Sequence, residues 1–375
     1  MSEYQYYEFA AIDGPISDEG LRYARNCSSR ADVSRVRWQN TYTFGDFHGS
    51  VDTLLKYYDA HFYIANWGSV RLGLAFPKGA IVPEVIQSFL RGGKRSEDTL
   101  MVKEVGNRQI ISWERNEEGG GGWTEGEGLI DPLLGVREEL LRGDYRALFL
   151  GWLADFDADE WCDPKGGAVV MPPIPAGLDQ LSPALTALIN HFPVDCDALA
   201  VAAGLSQATT PDRIPMDAVL ESLSVSRMRA LLSRVAEGGG SGVMAELNRL
   251  TVPPVEPAAG PALRCKDFAT KTIATREARK KQEAKAAAAK RQLEAELRKQ
   301  HLASIMQRAE TMWSGLDPLM DLKIASAYDQ AAAALLELRD AYAQAGDTGA
   351  FQQKITGFRR RYSNRSAMLR RIAQL

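Results

Sequence analysis

Basic side chains carry the clearest chemical signal in this 375-residue chain. From 354 to 375 the sequence places Lys354, Arg359, Arg360, Arg361, Arg365, Arg370 and Arg371 with no acidic residue among them. Guanidinium groups present planar forks of N–H donors that match phosphate oxygens, so such a cluster suits nucleic acid or an acidic protein face. A second cluster, Arg22, Arg25, Arg30, Arg35 and Arg37, lies beside a single acid, Asp32. Trp38 and Tyr42 follow it, offering rings on which a base could stack. Lys280 and Lys281 add a third basic point. The competing reading is that these charges are merely solvated, or paired with carboxylates elsewhere in the chain.

Groups suited to catalysis or metal binding do not fall into a working pattern. Cys27, Cys162, Cys196 and Cys265 are widely spaced with no CxxC pair, which argues against a disulfide framework or a zinc knuckle. HExxH and GxSxG do not occur. Gly92-Gly-Lys-Arg-Ser96 shares the end of a phosphate loop, but Arg95 stands where Ser or Thr is needed and Ser88 replaces the first glycine. It is expected to be a basic turn. Asp155-Phe-Asp-Ala-Asp-Glu160 alternates carboxylates as a calcium loop begins, yet Glu160 takes the place of the sixth-position glycine and Gly166 that of the twelfth-position glutamate. A solvated acidic loop is expected. His48 and His61 flank a predicted helix, and Glu8, Asp13 and Asp46 could approach one another across a sheet. Histidine is the usual catalytic base, but neither histidine has a nucleophile at an interpretable spacing. His48 reads as a solvent-facing turn residue, His61 as a helix-end residue and Cys27 as a buried small apolar one. No catalytic residue, metal ligand or cofactor is assigned.

Three regions of different composition must position these groups. Six of seven Trp and nine of twelve Tyr precede residue 162, whereas twelve of seventeen Pro fall between Pro164 and Pro261. Residues 264–375 hold 22 basic and 12 acidic residues, a net of +10 against −13 for the remainder, so the basic end calls for an anionic partner or for attraction to the other end. The predicted domains are a head (1–163), a Pro-rich linker with a small helical region (164–262) and a basic helical tail (263–375). In the head, strands are expected over Tyr4–Phe9, Val33–Phe44, Val70–Phe76, Leu100–Val105 and Gln109–Trp113, the third from its strict apolar alternation. Helices are expected from an N-cap at Ser17, across Leu54–Phe62, after Pro83, and over 129–141 and 144–156, with a loop at Gly119–Gly122. The fold class is α+β: a mostly antiparallel sheet with helices on one face.

Joints are expected at Pro172–Pro175 and Pro253–Pro261, separated by short helices near 185–192, 198–203, 216–223 and 226–235. Lys271–Trp313 contains neither Gly nor Pro and is dominated by strong helix formers, predicting one projecting helix roughly 60 Å long. Its apolar stripe of Leu302, Ile305, Met306, Ala309, Met312 and Trp313 should dock only the far end. Tyr328–Ala345 and Phe351–Ile372 then predict an antiparallel helix pair broken at Gly346–Gly349.

Three stretches, Tyr4-Gln-Tyr-Tyr-Glu-Phe-Ala-Ala-Ile-Asp13, Arg142-Gly-Asp-Tyr-Arg-Ala-Leu-Phe-Leu-Gly-Trp-Leu153 and Pro172-Pro-Ile-Pro-Ala-Gly-Leu-Asp-Gln-Leu181, resemble a family of uncharacterised bacterial proteins. The tail Tyr328-Asp-Gln-Ala…Leu336-Glu-Leu-Arg-Asp340 resembles the C-terminal helices of some SWIM-type zinc-finger proteins. The SWIM metal pattern of two close cysteines followed by Cys-x-His is absent, so the resemblance implies no zinc site, and it implies no catalytic residue. The expected function is therefore that of a non-enzymatic interaction or adaptor protein, binding nucleic acid or an acidic protein through its tail and the head's arginine cluster. The alternative is an enzyme with its site in the head. No window has the roughly 18 apolar residues of a membrane span, and a cytoplasmic location without membrane or cofactor is expected. A coiled-coil role is weaker, for want of sustained heptads in the long helix.

Overall fold

The computed structural model describes residues 3–90, 99–116, 124–162, 169–206, 214–236, 240–251 and 263–375. The Gly92–Ser96 turn, the Gly119–Gly122 loop, Gly166 and the Pro253–Pro261 joint lie outside the described residues. Seven strands form one sheet: β1 (Gln5–Ala10), β2 (Asp32–Val33), β3 (Arg37–Tyr42), β4 (Ala60–Ala65), β5 (Ser69–Pro77), β6 (Leu100–Val105) and β7 (Arg108–Asn116). Their order is β2-β3-β1-β4-β5-β7-β6, and every neighbouring pair is antiparallel. In the same region come α1 (Asp18–Asn26), α2 (Val51–Leu54), α3 (Pro83–Phe89), α4 (Leu134–Leu141), α5 (Arg146–Ala154) and α6 (Ala158–Trp161). Next are α7 (Pro183–His191), α8 (Cys196–Leu205), α9 (Met216–Ser222), α10 (Val225–Ala236) and α11 (Gly240–Leu250). The tail contains α12 (Cys265–Gln307), α13 (Ala309–Asp321), α14 (Ala325–Gln344), α15 (Thr348–Arg361) and α16 (Ser366–Arg371). The chain is thus α+β, with a long helical C-terminal region.

Strand alternation sorts the side chains onto two faces. Tyr6, Phe62, Ile64, Leu72, Leu74, Phe76, Ile111 and Trp113 point into the larger core. Phe9, Trp38, Tyr42, Ala75 and Ile110 point into a second core, closed by Ala24 of α1, Leu54 of α2 and Tyr58. Helices therefore cover both faces, where the sequence suggested one. The reason lies in β4, whose six residues are all buried: a strand apolar on both sides needs cover on both. This also explains why Leu54–Phe62 reads as a helix. The helical turn stops at Leu54, Asp59 N–H donates to the Ala10 carbonyl, and Ala60–Ala65 joins the sheet between β1 and β5. α1 begins as expected, with the Ser17 hydroxyl accepting from Gly20 N–H at 3.2 Å.

The larger core extends well beyond the sheet. Phe149 and Leu153 of α5, Leu185 and Leu188 of α7, Ala198 and Ala202 of α8, and Cys265 and Phe268 of α12 all enter it. The Pro172–Pro175 stretch is non-helical, and it is flanked by buried Met171 and Leu178. Two charged side chains among the described residues, Glu8 and Arg137, have no solvent exposure. Arg137 of α4 donates to both carboxylate oxygens of Asp13, at 2.9 and 2.6 Å, and to the Ala75 carbonyl at 2.9 Å. Asp59, 3.8 Å from Arg137, is itself held by Arg108 at 2.7 Å and accepts the backbone N–H groups of Ile12 and Asp13. These four charges tie α4 and β7 to the turn after β1.

By internal contacts the chain forms two compact units, Met1–Glu277 and Ala278–Leu375. In the second, Leu302 and Ile305 near the end of α12 pack with Leu316 and Met320 of α13, Leu335 and Leu338 of α14, Phe351, Ile355 and Phe358 of α15, and Met368. The helix predicted to run to Trp313 is interrupted at Arg308, and the one predicted over Phe351–Ile372 divides between α15 and α16. Each break re-aims an apolar stripe onto this core. Among the described residues no helix is long and apolar enough to cross a membrane.

Candidate functional site

The tail cations divide according to what the rest of the bundle offers them. Lys354 donates to Glu310 at 2.6 Å, Arg361 to Asp317 at 2.9 Å and Arg371 to Asp329 at 2.6 Å. Arg359 donates to the Ile372 carbonyl at 2.8 Å, near the end of α16. Arg360, Arg365 and Arg370 have no ion-pair partner among the described residues, and Arg360 and Arg370 are exposed. A run without acids in the sequence thus finds three acids in space, all from the 310–329 stretch.

The first part of the second unit is different. From 281 to 300 every residue of α12 is exposed, so no packing explains this helix; its run of Ala with Lys, Glu, Gln and Arg supplies the propensity. Between 278 and 299 the helix carries eight basic and three acidic residues. Arg279 pairs with Glu283 at 2.9 Å, and Arg298 reaches Glu337 and Asp340 at 2.8 and 2.9 Å. Lys280, Lys281, Lys285, Lys290, Arg291 and Lys299 have no ion-pair partner among the described residues. At about 100° per residue, Lys280, Lys281, Arg291 and Lys299 fall within one arc opposite exposed Leu293, and they span about 28 Å along the axis. Sequence reasoning had singled out Lys280 and Lys281. The others were missed because their i,i+8, i,i+11 and i,i+18 relations become a face only once this stretch of the helix is known to be exposed on all sides.

The head cluster does not come together as one surface. Arg35 pairs with Asp18 and donates to the Ile16 carbonyl at 2.9 Å. Arg37 bridges Glu8 at 2.8 Å and Asp131. Arg30 donates to the Phe44 carbonyl at 3.2 Å, with its guanidinium 4.5 Å from the Phe44 ring centre. Arg22 and Arg25 are exposed on α1 and make no ion pair among the described residues. The expectation that Trp38 or Tyr42 would stack a base is corrected. Trp38 is fully buried with its indole N–H on the Ala24 carbonyl, and Tyr42 is 2% exposed.

The groups weighed for catalysis, apart from the exposed His48, are likewise occupied. His61 lies on β4 rather than at a helix end; its ring stacks 4.3 Å from Phe9, and Nδ1–H donates to the Glu8 carbonyl at 3.2 Å. That tautomer follows because a carbonyl only accepts. Burial pushes the imidazole down to about 3, so it stays neutral at ordinary pH. His48 is exposed in the turn before α2. Glu8, Asp13 and Asp46 separate onto different partners: Tyr6 and Arg37, Arg137, and Tyr7 respectively. Burial is the main influence on Glu8 and raises its carboxyl above the ordinary carboxylate range, against the lowering effects of the Tyr6 hydroxyl and Arg37. In the acidic loop, Asp155 accepts from Thr99, Asp157 caps α6 and Asp159 pairs with Arg276, so these carboxylates serve structure. Asp195, Cys196 and Asp197 bring potential ligand atoms within 4.8 Å of one another. Asp195, however, already caps α8 and holds Arg276 at 2.6 Å.

Comparison with protein-family models, with curated proteins and with solved structures finds no match.

Proposed function

We propose that the protein binds the phosphate backbone of a nucleic acid through the basic face of α12, as a non-enzymatic interaction protein. One observation carries this reading: six cations without ion-pair partners on a helix exposed on every side, four of them on one arc. Lysine and arginine contacts to phosphate release condensed counterions, a gain that does not require recognition of bases. Arg360, Arg365 and Arg370 would extend the contact; Lys354, Arg361 and Arg371 are already neutralised by acids of the bundle.

The test is a retardation assay on a short duplex and a single strand across a salt series, comparing the parent with Lys280→Glu/Lys281→Glu/Arg291→Glu. Affinity should fall by at least about tenfold at moderate salt, and the salt slope should flatten by about 2 to 3. Arg360→Glu/Arg370→Glu should have a smaller effect of the same kind. Arg361→Glu is a poor probe, since it also breaks the pair with Asp317. Parent-like binding by the triple variant would refute the assignment to α12. Capture of an acidic protein without affinity for either nucleic acid would replace the proposed partner.

A further inference from the structure

The open part of the sheet, on the face of Tyr7 and Tyr63, holds a cavity of about 610 Å³ that the tail reading does not use. This lies within the range typical of small-molecule sites. Its floor is the cross-strand row formed by Tyr7 of β1, Tyr63 of β4 and Arg71 of β5. Trp67, 40% exposed on the β4–β5 turn, forms part of one wall, and Glu3 and Asp46 supply carboxylates.

The hydrogen bonding leaves this cavity rich in acceptors. Tyr63 OH donates to Gln5 Oε1 at 3.2 Å, and Tyr7 OH has Asp46 Oδ1 at 3.2 Å and Gln5 Oε1 at 3.4 Å within reach. Each phenol has one proton to give, and that proton is directed at the protein, so each oxygen keeps lone pairs for a ligand. Asp46 Oδ2 is not among the atoms engaged by Tyr7 or Phe47. The Ser69 hydroxyl also lines the cavity; the residue is 8% exposed, and the hydroxyl has no hydrogen-bond partner among the described residues. The single cation, Arg71, is paired with Glu114 at 3.4 Å. Its guanidinium lies 5.5 Å from the Tyr63 ring centre, so a positive charge already occupies an aromatic face here. With Arg71 offset by Glu114, Glu3 and Asp46 leave the wall negative.

We infer that this cavity is a binding site for a small organic ammonium ion, a protonated amine whose N–H groups are taken by Asp46, Ser69 and the tyrosine oxygens beside the Trp67 ring. An ammonium carrying N–H donors fits better than a quaternary one, because the acceptors outnumber the open aromatic faces. An anion would meet the carboxylates and find its only counter-charge already paired.

Isothermal titration of the full chain, freed of nucleic acid, with spermidine, choline and succinate tests this. Spermidine should bind saturably and more tightly than choline, and succinate should not bind. Asp46→Asn and Ser69→Ala should each weaken spermidine by about tenfold, as expected when a hydrogen bond to a charged group is lost. Asp32→Asn removes an exposed acid outside the cavity and should leave binding unchanged. Four outcomes would overturn the assignment: no saturable spermidine binding, equal weakening by Asp32→Asn and Asp46→Asn, choline binding at least as tightly as spermidine, or succinate binding dependent on Arg71. None of them bears on α12, so the two readings fail separately.

Discussion

The Asp13–Arg137 pair makes an asymmetric prediction: deleting the more exposed partner should cost more than deleting the buried one. Arg137 has no solvent exposure, while the Asp13 side chain keeps 27% of its own. In Asp13→Ala the guanidinium stays inside, and its nearest remaining acid is Asp59 at 3.8 Å, which is already committed to Arg108. Stranding a buried charge in this way costs about 3–5 kcal/mol. In Arg137→Met the stem volume is largely kept, Asp13 retains access to water, and the main loss is the partner of the Ala75 carbonyl. An orphaned buried acceptor costs about 1–3 kcal/mol. Thermal unfolding at neutral pH should therefore show Asp13→Ala melting roughly 10 °C below the parent, with Arg137→Met losing about half as much. Combining the two removes the stranded charge, so the double variant should resemble Arg137→Met. Equal losses in both single variants, or a larger loss for Arg137→Met, would refute the reasoning.

Two further outcomes follow from burial and close packing. Glu8 has its carboxyl raised above the ordinary range by burial, so the folded state holds its proton more tightly than the unfolded chain does. Its contribution falls as pH rises from the ordinary value of 4.5 into the raised range; Glu8→Gln should thus be more stable than the parent at pH 7, with the advantage shrinking toward pH 4.5, as read by urea unfolding across pH. A methyl group on Gly151 would lie 2.7 Å from Trp113 Nε1 and 3.1 Å from Leu100 Cβ. Gly151→Ala should destabilise by about 1–3 kcal/mol, although alanine is the better helix former, with a change in near-ultraviolet circular dichroism as Trp113 shifts.

Much of the fold was legible because its periods are clean. Val70–Phe76 alternates strictly and is β5; Leu302, Ile305 and Ala309 repeat at helical spacing and are buried in the second unit. β4 was not legible, since Ala60–Ala65 is buried on both faces and a short run without alternation resembles a helix segment. The breaks at Arg308 and between α15 and α16 lacked Gly or Pro and were set by which core the stripes must reach. The basic residues were found by type, but which of them remain unpaired depends on acids 42 to 44 residues away, a separation that composition cannot see. The cavity on the sheet escaped notice for a related reason. Tyr7, Tyr63 and Arg71 become neighbours only through the register of three strands.

The place of β1 inside the sheet has a consequence for how the chain is made. Tyr4–Ala11 is an aromatic stretch of high strand propensity, and the partners β3 and β4 begin 27 and 50 residues after β1 ends at Ala10. At ordinary synthesis speeds β4 follows about 3–10 s later, and until then the nascent strand has at least one open edge. Such a segment invites pairing with copies of itself on neighbouring chains. Glu8 is the one charge between Tyr4 and Ala11. Ionised on the emerging chain, it acts as a gatekeeper against strand stacking. The same carboxylate that burial disfavours in the finished sheet protects the chain during the interval before that sheet exists.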